Sequence, residues 1–165
     1  MSLSTLTLLC VSLAVQPAWA IDCAADGRAL LLDTEPAPER IAEVRAVCER
    51  DAGSGDARAT YQLALFDLGL GGRWAPDAAI TRMLDAATAG IPEAQYWLAW
   101  QYETGPLMPD DPTLSLEWYL AAAEAEHVLA LGRLAQAYEF GELGLAIDPE
   151  TAAAYRALQA QCLND

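Results

Sequence analysis

The chain has 165 residues, of which 54% are hydrophobic, with 24 acidic residues against 9 basic ones and a net charge of −15. That length suits one domain, and that apolar content excludes wholesale disorder. The acidity repels phosphate backbones and anionic lipid, so nucleic acid is not an expected partner, whereas a basic protein surface is compatible.

Residues 3–15 are apolar and uncharged, and Pro17 is followed by the small-x-small run Ala18, Trp19, Ala20. We read residues 1–20 as a secretory signal peptide cut after Ala20. Its apolar core is too short to span a bilayer as a helix, although no Lys or Arg precedes it as in most leaders. No transmembrane segment is expected after cleavage, and the expected location is periplasmic or secreted.

Residues 21–54 read as an N-terminal capping hairpin. Two helical runs, 23–33 and 38–51, flank the turn Thr34, Glu35, Pro36, Ala37. Folded back antiparallel, the runs bring Cys23 and Cys48 to nearly the same height, about twelve residues from the turn. A disulfide is then geometrically reasonable, the alternative being two buried reduced thiols. Closing a loop of this size stabilises a domain by about 3–4 kcal/mol in the chain-entropy model. Cys162 is left over, either as a free thiol, which we favour, or as a link to a second copy. A monomer is therefore expected, with a Cys162-linked dimer as the alternative.

From residue 55 to 165 a pattern recurs at steps of 35 or 36 residues. Ala59, Leu63 and Ala64 are followed by Ala94, Leu98 and Ala99, and then by Ala130, Leu134 and Ala135. The later two units continue alike, with Tyr102 and Gly105, then Tyr138 and Gly141. A period in this range marks an α-helical solenoid. Prolines at first-turn positions and glycines after last turns divide the units into helices 56–69, 76–89, 92–104, 112–126, 128–140 and 149–161. Asp111 before Pro112 and Asp148 before Pro149 are N-cap candidates. The expected fold is all-α: a right-handed solenoid of four antiparallel hairpins, eight helices, with repeats at 55–90, 91–127 and 128–162.

At these residues the chain resembles the Sel-one-like repeat family, relatives of the tetratricopeptide repeats. The second repeat carries the likeness best: Ala94, Leu98, Tyr102, Gly105, a loop Asp110 or Asp111, then Trp118, Tyr119, Ala122 and Ala123. Asp67 stands where the family has an aromatic residue, and Ala64, Ala99 and Ala135 replace its usual glycine. The resemblance implies a repeat surface that holds a protein or peptide partner. A secreted, cysteine-rich branch of the family is linked to β-lactam binding. That makes a β-lactam-binding protein or hydrolase the alternative function, but here only the first hairpin carries a cysteine pair.

Chemistry-bearing residues are sparse. All nine basic residues are arginine, His127 is the only histidine, and Ser54 and Ser115 are the only serines beyond residue 20. Schiff-base lysines, phosphate loops of the Walker type and Ser-x-x-Lys pairs are therefore absent. No catalytic residue, metal site or cofactor is expected, and a non-enzymatic role follows. The candidate partner-binding surface is a stripe on the first helices of repeats one and two: Tyr61, Leu65, Tyr96 and Trp100. Tyr96 and Trp100 share one helix face, opposite Ala94, Leu98 and Tyr102. The competing reading is that these rings pack between repeats. Their third-repeat counterparts are Gly132 and Gln136. Trp118 and Tyr119 are expected in the core, Asp111 as a cap, and His127, Glu139 and Glu142 at the surface.

Overall fold

The computed structural model describes residues 21–70 and 72–164; the leader reading, residues 1–20, lies outside the described residues. Among the described residues eight α-helices follow one another: α1 (Cys23–Leu32), α2 (Pro38–Gly53), α3 (Ala57–Asp67), α4 (Pro76–Thr88), α5 (Pro92–Thr104), α6 (Pro112–Glu124), α7 (Val128–Phe140) and α8 (Pro149–Cys162). Each packs on its neighbours in sequence, and α1 also touches α3. The fold is an all-α solenoid of helix hairpins.

Local chemistry sets the helix starts. Five helices place proline at their first position, where its missing N–H has no helical partner to lose. Asp111 Oδ1 accepts from the Thr113 and Leu114 amides, and Asp148 Oδ1 from those of Glu150 and Thr151, as the sequence reading expects. Asp22 and Asp56 cap α1 and α3 in the same way.

One backbone bond recurs in all three repeats. The residue just before each second helix donates its N–H back to the first helix. Ala75 donates to the Asp67 carbonyl, Asp111 to Tyr102 and Asp148 to Tyr138, each at 2.8 Å. The acceptors are spaced 35 and 36 residues apart, so this bond is the structural form of the sequence period. The turns between repeats also match. Gly55, Gly90 and Glu126 each take positive φ, at 96°, 90° and 57°. Glu126 thus occupies a left-handed slot that glycine fills without strain.

The core is built in segments along the solenoid. The N-terminal one joins the Cys23–Cys48 disulfide, Cα atoms 4.9 Å apart, to Val44, Leu63 and Phe66. The second gathers Ala64, Met83, Ala86, Ala94 and Leu98, and the third Ala99, Tyr119, Ala122, Ala130 and Leu134. Buried alanines let successive helices approach closely. Ser115 takes one such small-residue position on α6 and donates its hydroxyl to the Ala99 carbonyl of α5 at 2.9 Å. Tyr119 is fully buried and Trp118 half-buried, in keeping with their expected core roles.

Asp67, at the position of Tyr102 and Tyr138, binds differently. Its carboxylate is fully buried and gathers three arginines: Arg45 of α2 at 3.3 Å, Arg73 of the following loop at 3.2 Å, and Arg82 of α4. Arg45 also lies over the Phe66 ring, 5.8 Å from its centroid. Where the other repeats place a tyrosine, this one ties the capping hairpin to repeat one with charge.

Candidate functional site

Three concavities follow one another along the first helices of the hairpins. The central one, about 430 Å³, is walled by Tyr61 of α3 and by Tyr96, Trp97 and Trp100 of α5. Glu93, in the first turn of α5, and His127, which caps α7, complete it, with Leu129 at the rim. A small cleft of about 30 Å³ adjoins it, sharing Tyr61 and Glu93 and lined further by Arg28 and Arg58. A more polar hollow of about 320 Å³ lies on the other side, sharing Tyr96 and Trp100. Neighbours share wall residues, so the three lie side by side.

The walls are held by packing. Tyr96 meets Tyr119 edge-on at 5.7 Å between centroids, and the His127 imidazole stacks on its ring at 4.8 Å and 28°. Aromatic contacts of this kind fix ring orientation as well as burying area. Trp100 is 43% exposed and faces the groove with an edge still available. The polar hollow is organised by Glu103, which accepts from the Tyr119 hydroxyl at 2.7 Å and from Arg133 through Nε and Nη2. Arg133 also reaches Glu142 at 2.6 Å. Burial opposes ionisation of Glu103, but the hydrogen bonds from Arg133 and Tyr119 outweigh it and hold the carboxyl below its ordinary range.

The aromatic hollow has different electrostatics. One Glu93 oxygen and the His127 Nδ1 are buried without a hydrogen-bond partner. Burial lowers the His127 pKa, and Glu93 only partly offsets this. Burial and the same carboxylate both raise the Tyr61 pKa. Unpaired buried polar atoms are unusual in a folded protein.

Of the four stripe residues, Tyr61, Tyr96 and Trp100 come together here, while Leu65 is half-buried against the core between α3 and α5. Gly132, counterpart of Tyr96, lets Gln159 of α8 lie flat on α7 and donate to the Val128 carbonyl at 3.1 Å. A Cβ there would come within 2.4 Å of Gln159 Nε2. The aromatic wall therefore ends at repeat two.

Sequence reasoning missed Glu93, Trp97 and His127. His127 is not a free surface histidine: it is half-buried against Tyr96, and only the hairpin stacking brings the two residues together. Glu142 and Glu139 likewise carry ion pairs, with Arg133 and Arg156. Among the described residues no group of three or more His, Cys, Asp or Glu is placed to hold a metal, and no helix is long and apolar enough to cross a membrane.

The period, the hairpin order and the groove along the first helices define a helical repeat protein. No family model and no curated protein matches the chain. Among solved structures it is similar to a Sel1 repeat protein from Oxalobacter formigenes, with 34% identity over 70% of this chain and 87% of that one, at a TM-score of 0.65. It also shares its fold with a protective antigen present in uropathogenic Escherichia coli strains, which displays an SLR fold, at 24% identity and a TM-score of 0.66. That match covers 84% of this chain but only 30% of the antigen. The chain belongs to the Sel1 repeat family.

Proposed function

We propose that this Sel1 repeat protein is an exported, non-enzymatic adaptor that holds a segment of a partner protein in the groove along α1, α3, α5 and α7. The observation that carries this reading is the clustering of Tyr61, Tyr96, Trp97 and Trp100 around one open hollow of about 430 Å³. Large aromatic anchors in a preformed concavity are the usual source of affinity at protein interfaces. Export is supported by the Cys23–Cys48 disulfide, since such bonds persist in oxidising compartments.

The test is partner capture by cross-linking in a native envelope fraction, with each captured protein then purified and its binding remeasured. Trp100→Ala and Tyr61→Ala are expected to abolish that binding. Trp74→Ala, at a 63% exposed ring in the α3–α4 loop, is expected to leave it intact. Binding that survives both groove variants refutes the adaptor groove.

A further inference from the structure

The geometry points to a specific occupant for the central hollow: the cationic side chain, arginine or lysine, of an extended partner segment, seated between the aromatic walls with Glu93 as its counter-ion. This rests on the adaptor reading and specifies its chemistry. Four ring systems surround the hollow. Aromatic faces carry negative potential, and a cation within about 6 Å of a ring centroid is attracted, more strongly once water is excluded. Glu93 adds a full negative charge at the same wall, and one of its oxygens is buried with no hydrogen-bond donor. A guanidinium or ammonium group seated in the hollow pairs with the Glu93 carboxylate, which an apolar or acidic side chain leaves without a counter-ion.

Positive charge is already present beside the hollow, but among the described residues none of it is paired with Glu93. Arg28 and Arg58 share the adjoining cleft with Glu93, yet neither satisfies its buried oxygen. His127 closes the opposite side, and burial, against the pull of Glu93, keeps its pKa low, so at neutral pH it adds no competing positive charge. Arg133, the nearest guanidinium in the polar hollow, is already committed to Glu103 and Glu142. The chain as a whole is strongly acidic, which draws a basic segment towards it.

The experiment titrates the intact, oxidised protein with blocked five-residue peptides, reading tryptophan fluorescence and heat. The peptides are four alanines around a central arginine, lysine, citrulline or glutamate, and tetramethylammonium chloride is the small-cation probe. Arginine and lysine peptides are expected to bind at least roughly tenfold more tightly than the citrulline peptide. Glu93→Gln, whose folding is checked by circular dichroism, is expected to erase that difference. Trp100→Leu is expected to weaken the cationic peptides alone.

Equal binding of citrulline or glutamate peptides overturns the cationic occupant but leaves the adaptor groove standing. Tetramethylammonium binding as tightly as the arginine peptide overturns the peptide occupant in favour of a small cation. If no probe perturbs the tryptophans, the cationic occupant is refuted, and if native-partner binding also survives both Trp100→Ala and Tyr61→Ala, the groove is refuted with it.

Discussion

The first and last of the described hairpins are secured by different means. At the N-terminal end, α1 and α2 are joined by the Cys23–Cys48 disulfide, and the buried Asp67 carboxylate ties Arg45 of α2 to Arg82 of α4. At the C-terminal end, α7 and α8 rely on the stacked Tyr138 and Tyr155 rings, 5.7 Å apart, the Arg156–Glu139 pair and the Gln159 bond to Val128. Ala152 is the only fully buried residue of α8, and Leu158 and Leu163 are largely exposed. In a quasi-one-dimensional protein each hairpin is stabilised by its neighbours. A short hairpin with a small core gains most from a covalent link, whereas α7 and α8 form the third repeat and pack on α6 of the second.

The comparison breaks most directly when the staple is removed. Replacing Cys23 and Cys48 by serine is expected to lower unfolding free energy by about 3–4 kcal/mol in the chain-entropy model. Hydrogen exchange should then show α1 and α2 opening before α7 and α8, the reverse of the oxidised protein. Next in size, Asp67→Ala leaves three arginines facing one another around a buried hole. It is expected to cost about 3 kcal/mol in urea denaturation, with the loss of protection centred on α2–α4. Tyr155→Ala, at the other end, should spare that region and loosen α8.

Acid sharpens the contrast from the middle of the molecule. His127 has a lowered folded-state pKa, so the unfolded chain takes up its proton first, and stability declines as pH falls below the ordinary imidazole value of 6.5. The Glu103 pKa is also lowered, so its contribution is present above the ordinary value of 4.5 and is lost as pH falls through the folded-state pKa. Melting temperature should therefore fall in two stages below neutrality, and His127→Gln should remove the upper one. The smallest effect is a gain: Glu126→Gly relieves a non-glycine residue at φ 57° and is expected to raise stability by up to about 1 kcal/mol.

Much of the fold was legible along the chain. Proline at N1, Asp in the cap and the 35- or 36-residue period placed every helix to within a few residues, because each signal acts within one turn of the element it marks. The disulfide was legible for a similar reason, since a hairpin with a short turn fixes which residues lie level. Tyr61, Leu65, Tyr96 and Trp100 could be placed on one shared face from periodicity, with packing between repeats left as the competing reading. Asp67 gave one clue, a charge where the other repeats have tyrosine, but its partners Arg45 and Arg82 lie 22 residues before and 15 after it.

The sequence by itself thus determined the repeat, the helices and the possible staple, all products of short-range backbone chemistry and of spacing. Only the tertiary structure decided that Glu93, Trp97 and His127 belong to one hollow with Tyr61, Tyr96 and Trp100. His127 lies 34 residues from Glu93, a distance that hairpin stacking removes and no linear pattern encodes. It also decided where the aromatic wall stops, because the Gln159 side chain lies against Gly132 in a contact made by the folded hairpin rather than by either residue's neighbours.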